Sequence, residues 1–390
     1  MRPALGDRAL FPALLPRAYL NHAGVSPPSV PVLEAAKAAL DDFAARGGSA
    51  MGAALERRVR LRAKVAELIG AGPGEVGFTQ NTSAGVQAVA LAFPWRSGDR
   101  VLLFEGEFPA NVTPWLRAAE TFGLEVAWVP LSPFLRSDEE GLDLVARELA
   151  RGVRLVAVSA VQFRSGLRMP LEGLARLCAA AQCELFVDAV QAAGAVPLHV
   201  RGIDYLAAGA HKWMMGLWGA GVLYVRAERA GALVPRSAGW LSHEDPARFL
   251  FEPDQLRYDR PIRRRADFVE AGGQSEVGLA ALLASLEILL GLGVPAVFDH
   301  VSRYLDHLEP ALVERGFSSL RPREPARRSG ILSLLPPPGV ELALLAREIQ
   351  ARRVACATPD GVLRFSPHWP NDVGELPWVL EAVDGALGAL

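Results

Sequence analysis

The chain is poor in cysteine. Cys178, Cys183 and Cys356 are its only thiols, and they lack the paired short spacings that a structural zinc site or a disulfide framework requires. That scarcity argues against a disulfide-stapled secreted scaffold and fits a reducing cytoplasm. A surplus of charge is missing too, since 41 Lys plus Arg face 43 Asp plus Glu, for a net charge of -2. Without a basic run long enough to track a phosphate backbone, nucleic acid and membrane surfaces are not expected partners. Long hydrophobic runs are equally absent. The most apolar stretch, residues 279–292, contains Ser285 and Glu287 and is too short to span a bilayer. The early "ALFPALL" is preceded by Asp7 and interrupted by Pro12, so no signal peptide is expected. No Gly-x-Gly-x-x-Gly follows the early strands, which removes the ground for a nucleotide-dependent oxidoreductase.

What the chain has is ample core material: 51% hydrophobic residues against 22% charged over 390 residues, a length for which two domains are natural. Between residues 97 and 226, "DRVLLFEGE", "LEVAWVPL", "VRLVAVSAVQ", "CELFVDAV" and "GAGVLYVR" alternate with helical patterns. That alternation predicts an α/β fold with a largely parallel sheet covered by helices. "DEEGLDLVARELA" and "PLEGLARLCAAAQ" read as crossover helices, the second with Pro170 at its first helical position. After "SEVGLAALLASLEILLGLG" the texture changes, and residues 291–390 are expected to form a smaller α+β domain behind a large domain of residues 1–290. The polar, Pro-rich "LRPREPARRSG" is expected to be an exposed loop.

Ligands of α/β sheets collect beyond the carboxyl ends of strands, so polar residues there carry the most weight. In "ELFVDAVQAAG", Asp188 ends an apolar strand and Gln191 lies three residues on; such an aspartate costs stability unless it meets a cation or several donors. In "AAGAHKWMMGLWGAGVLYV", Lys212 is the one amine in an apolar stretch, where desolvation lowers its pKa and makes it a nucleophile toward carbonyls. In "VGFTQNTSAGVQAVALAF", a strand feeds Asn81, Thr82 and Ser83 into a helix start, which suits a phosphate. A phosphate, a cationic ring nitrogen and an aldehyde would satisfy all three, and pyridoxal phosphate combines them. Each piece alone has a plainer reading: Thr82 and Ser83 as a helix cap, Asp188 as the start of a turn, and Lys212 reaching past its stem to solvent.

The same residues resemble the class V aminotransferase family of fold type I pyridoxal phosphate enzymes, which includes cysteine desulfurases, kynureninases and isopenicillin N epimerases. The resemblance runs from "AYLNHAGVSPPSVPVLEA" through "FTQNTSAGVQA", "EGEFPANVTPW", "VSAVQFRSGLRMPL", "VDAVQAAGAVPLHVRGIDYLAAGAHKW" and "FVEAGGQ" to "VLRFSPHWPND". It implies a mainly parallel seven-stranded sheet with helices on both faces, and pyridoxal 5′-phosphate as cofactor. Lys212 resembles the lysine that joins the cofactor aldehyde and then acts as base at Cα. Asp188 resembles the partner of the pyridine nitrogen, and Gln191 that of the ring's phenolic oxygen. Thr82, Ser83 and His211 match the phosphate-binding set, and Phe108 the aromatic residue stacked on the ring. Arg364 matches the clamp on the substrate carboxylate, a bidentate task for which lysine is a poor substitute. Gln162, Asn21 and His22 fall at substrate-side positions. Trp240 and Ser242, in "GWLSHEDPARF", resemble a segment near the phosphate of an adjacent subunit, which implies a homodimer with a shared site.

The chain departs from that pattern where Gly209 replaces a phosphate-binding serine, where Gly273 replaces a hydroxyl residue, and at Cys356. That cysteine lies eight residues before Arg364, where "VACATPDGVLRF" reads as two strands joined by a Pro-Asp-Gly turn rather than a mobile catalytic loop. Cys356 is therefore expected to be packed, which disfavours sulfur transfer through a protein cysteine. The resemblance implies an enzyme acting on a small amino acid, by a lyase or desulfurase-like reaction at Cβ, with transamination, epimerisation or a non-catalytic binding role as alternatives.

Overall fold

The computed structural model describes residues 3–390. Among the described residues there are twelve strands, in chain order β1 (Ala18–Tyr19), β2 (Val76–Thr79), β3 (Arg100–Glu105), β4 (Glu125–Pro130), β5 (Val153–Ser159), β6 (Glu184–Asp188), β7 (Tyr205–Gly209), β8 (Gly221–Val225), β9 (Ser318–Ser319), β10 (Leu332–Leu335), β11 (Val354–Ala355) and β12 (Leu363–Phe365). Seven of them build the central sheet in the order β2-β8-β7-β6-β5-β3-β4. Every pairing in it is parallel except those of β8, which runs antiparallel to both β2 and β7. The mainly parallel seven-stranded sheet is thus present.

Both faces of the sheet are covered, which explains why its strands read as almost unbroken apolar runs. Successive side chains of a strand point to opposite faces. In β5, Leu155 and Ala157 join a core with Trp115, Phe186 and Tyr205, while Val156 and Val158 join the larger core on the other face with Phe104, Leu185 and Leu206. Each Val, Leu or Phe side chain among them contributes about 1.5–3 kcal/mol on burial. Helices Asp138–Leu149 and Leu171–Ala180 supply crossovers, the second with Pro170 as the residue before the helix rather than its first turn.

Beyond the helix Glu276–Leu292 the chain turns at Gly293 by 77° into Val294–Val313. No single helix among the described residues is long and apolar enough to cross a membrane. A three-stranded antiparallel sheet, β12-β10-β9, follows. The N-terminal segment joins this region: β1 pairs in parallel with β11, and Asn21 bridges Ser366. The segment expected as an exposed loop differs from that expectation. Only residues 323–326 are exposed, whereas Arg321 and Arg327 are buried. Arg321 pairs with Asp306 and Glu309, and Arg327 with Asp138 and the Phe134 carbonyl. Those partners offset the cost of burying two guanidinium groups, which polarity along the sequence does not reveal.

Candidate active site

The carboxyl ends of β2, β3, β5, β6 and β7 open on one edge of the sheet, and the polar residues singled out above lie just past them. Ser159 of β5, Asp188 of β6 and Ala207 of β7 stand side by side in register. The chain does not cross over after β7. It makes a tight return into antiparallel β8, helped by Gly219 at φ 82°, and that return carries His211 and Lys212.

Lys212 is one of three lysines, with Lys37 and Lys64 on the first two helices near the surface. Its amine lies 5.4 Å from the centroid of the Phe108 ring. Burial lowers its pKa to about 8, Asp188 pulling upward and Arg364 downward. Asp188 is buried and accepts the Val190 N–H at 2.9 Å. Burial raises its pKa to about 7, the Val190 bond opposing and Glu107 adding to the rise. A cation beside this carboxylate would therefore be well placed. His211 is held at about 4 by burial and by Lys212, so it is neutral at working pH, and its ring stacks on Trp218 at 6.3 Å.

At the start of the helix Thr82–Ala92, the Asn81 side chain accepts the Ala84 N–H at 2.9 Å. Thr82 Oγ1 accepts the Gly209 N–H at 2.9 Å and keeps its own hydrogen for another acceptor. The Gly209 departure has a steric reason: a Cβ there would come within 3.1 Å of the His211 ring and 3.2 Å of Thr82 Oγ1. Ser83 lines, with Phe108, Gln87 and Thr113, an open cavity of about 400 Å³.

On the substrate side, Arg364 of β12 is buried, donates through Nη1 to the Phe163 carbonyl at 2.9 Å, and is lowered by burial to about 10. Its Nε, Gln162 Oε1 and Asn21 Oδ1 are buried without a partner among the described residues. Buried polar atoms are normally satisfied, so these three suit a polar ligand. His22 instead lines a small cavity with Tyr19, Asn371 and Glu375. Gln191 spends both ends of its amide, donating to the Ala23 carbonyl at 3.0 Å and accepting from Trp213 Nε1 at 2.7 Å, which leaves one amide hydrogen.

Trp240 is half exposed and packs against Phe249 at 6.1 Å. Ser242 is buried and consumed locally, donating to the Phe268 carbonyl at 2.6 Å and accepting the Gly239 N–H at 3.1 Å. Cys356 is packed, its thiol pushed up to about 12 by burial, in keeping with an inert side chain. A further acid, outside the residues expected from the sequence, joins the site. Glu107, two positions past β3, is buried among Ser159 N at 2.7 Å, Ser159 Oγ and Gln162 Nε2 at 3.0 Å. It orients Gln162, and burial raises its carboxyl despite these donors. Its place beyond a strand's carboxyl end was the available signal.

A doubly covered, mainly parallel sheet with a half-buried lysine, a buried aspartate and a helix start at one edge defines a fold type I pyridoxal phosphate enzyme. The family profile described as aminotransferase class-V matches residues 18–361, and the chain belongs to that family. An uncharacterised aminotransferase, YcbU, of Bacillus subtilis is 26% identical over 96% of each chain. A probable cysteine desulfurase of Pyrococcus abyssi is 27% identical, covering 86% of this chain and 85% of its own. The cystine C–S lyase C-DES, solved with its product cysteine persulfide, shares the fold with a TM-score of 0.86 at 22% identity, over 96% of this chain and 99% of that one.

The protein is an enzyme of this family, and its cofactor is pyridoxal 5′-phosphate. The residues present fit the group. The space kept by Gly209 between Thr82 and His211, the acid in need of a cation, and the unpartnered Arg364 Nε are features that it and an amino-acid carboxylate would satisfy.

Proposed function

We propose that this enzyme breaks a bond at Cβ of a small amino acid, as a lyase or desulfurase-like catalyst that does not pass sulfur to a protein cysteine. The observation that carries this reading is the Lys212 amine, 5.4 Å from the centroid of the Phe108 ring and acted on by the Asp188 and Arg364 charges, together with a packed Cys356. The name of C-DES, a cystine C–S lyase, supports the same reaction type.

Thr82, Ser83 and His211 would hold the cofactor phosphate, Asp188 its ring nitrogen, Gln191 its phenolic oxygen, Phe108 its ring face and Lys212 its aldehyde. Bound pyridoxal phosphate supplies a carbonyl for the substrate amine and an electron-poor ring that delocalises charge released at Cα. Arg364 binds the substrate carboxylate, with Nε free to make one of two parallel bonds. Asn21 and Gln162 present acceptors to the substrate, Gln162 because Glu107 fixes its amide nitrogen. Lys212, whose pKa of about 8 leaves about a tenth of it neutral at pH 7, far more than for an ordinary lysine, takes the proton from Cα.

The reading includes a cytoplasmic homodimer. Trp240 packs half exposed against Phe249, and Leu250, Phe251 and Tyr258 on the chain that follows are exposed too, a surface that suits a second copy. An amino-acid panel assayed for pyruvate, alanine, sulfide and other keto acids tests the reaction. Pyruvate with sulfide or persulfide supports the Cβ reading. Keto acid formed only with an amino acceptor assigns transamination, and loss of optical activity without product assigns epimerisation.

A further inference from the structure

Three consecutive carbonyls of the turn that bears Lys212 are held by segments remote in sequence. The Ser26 N–H donates to the His211 carbonyl at 2.8 Å, and the Ser26 hydroxyl to the Lys212 carbonyl at 2.6 Å. The Lys212 carbonyl also accepts the Met215 N–H at 2.9 Å. His368 Nε2 lies 2.8 Å from the Trp213 carbonyl. The roles in this last bond are settled by its neighbour: Trp369 N–H points at His368 Nδ1 from 2.7 Å, so Nδ1 accepts and Nε2 carries the proton. His22 is fixed in the same way. Ser26 has given its hydrogen to Lys212, so its oxygen accepts from His22 Nδ1 at 2.8 Å. Ser26, His22 and His368 are all buried.

These holdfasts belong to the two segments that also carry substrate-side residues. Ser26 follows Asn21 and His22. His368 ends the extended stretch that begins with Arg364 in β12, and its middle residue, Ser366, exchanges backbone bonds with Leu20 and His22 at 2.8 and 3.1 Å. The lysine turn is therefore gripped by the same backbone that positions the carboxylate clamp. A lysine side chain has a long flexible stem, so where its amine stands depends on how firmly its backbone is held. A displacement of about 1 Å at a reacting group costs on the order of a hundredfold in rate.

We propose that Ser26 and His368 are positioning residues for Lys212, fixing its turn from the N-terminal segment and from the end of β12 so that its amine is presented to the cofactor aldehyde. This rests on the reading of Lys212 as the cofactor lysine. In the step concerned, the amine nitrogen adds to the aldehyde carbon; one C=N bond replaces the C=O, and the oxygen leaves as water with the two amine hydrogens. A loosened turn admits water to the amine and moves it from Phe108, so capture slows and the amine titrates higher. The charged or titratable groups facing that amine are Asp188, Arg364 and His211, and those beside His368 are His22 and His300.

The test uses the full chain, stripped of cofactor and mixed with pyridoxal phosphate across a pH series while visible absorption develops. Ser26→Ala and His368→Leu are expected to load at least roughly tenfold more slowly than wild type, with the pH midpoint of loading shifted upward. His368→Gln, which keeps a nitrogen donor, is expected to recover most of the rate. Ser26→Ala deletes one oxygen and retains the bond to His211, so it carries the test should His368→Leu not fold. If Lys212→Ala develops the same absorption as wild type, the reading of Lys212 itself fails. If Lys212→Ala lacks the wild-type absorption band while Ser26→Ala and the folded His368 variants load at the wild-type rate and pH midpoint, the positioning role is overturned.

Discussion

Lys212 and Phe108 leave different strands, β7 and β3, yet the lysine amine stands 5.4 Å from the centroid of the phenylalanine ring. Phe108 is 44% exposed and packs edge-on against Phe163 at 5.3 Å, so it is held in place without being core. Phe108→Ala is expected to leave thermal stability nearly unchanged and to weaken pyridoxal phosphate binding by about twofold to tenfold, the worth of a stacked aromatic pair at ~0.5–1.5 kcal/mol. Titration of the cofactor-free chain measures it. Unchanged affinity contradicts the stacking role.

Asp188 links the site to stability. In the cofactor-free chain, burial lifts its folded pKa to about 7 from an ordinary value of 3.8. A group raised in this way favours the fold below its unfolded pKa and loses that contribution as pH climbs to the folded one. The melting temperature of cofactor-free wild type should therefore fall, relative to Asp188→Asn, between about pH 4 and about 7, and level off above. Bound cofactor should flatten that difference. Asp188→Asn should also lower turnover by at least about a hundredfold, because the ring nitrogen loses its counter-charge. Parallel melting curves for the two proteins would remove the buried-acid account.

Arg364→Lys keeps the charge and loses the fork. A lost charge-assisted hydrogen bond is worth about 1.5–3 kcal/mol. KM for any accepted amino acid should rise by about ten- to a hundredfold, with a smaller change in kcat. Steady-state kinetics decide, and a fall in kcat at constant KM points away from carboxylate binding.

Cys356→Ala should retain activity within about twofold and cost about 1 kcal/mol of stability, as for a small buried apolar group. Loss of turnover in that variant would restore the protein-cysteine route and displace the direct-release reading.

How much of this was legible in the chain depends on distance along it. The parallel sheet and the ends of β2, β6 and β7 are local patterns, an apolar run closed by one polar residue, and they stand where the sequence put them. Glu107 was missed because its meaning lies in Ser159 and Gln162, more than fifty residues on. The clamp by Ser26 and His368 joins three remote segments and leaves no periodic trace. Arg321 and Arg327 read as surface residues because their acidic partners, Asp306, Glu309 and Asp138, sit on other elements. Burial of charge is a tertiary property, and only partners explain it.

Lys212 is the expected point of attachment of the cofactor. Reduction of the coloured enzyme with borohydride, followed by proteolysis and mass spectrometry, fixes a stable tag at the attachment lysine. With three lysines in the chain the answer is unambiguous: the tag is expected on the peptide carrying Lys212, while a tag on Lys37 or Lys64, or none at all, contradicts the central claim.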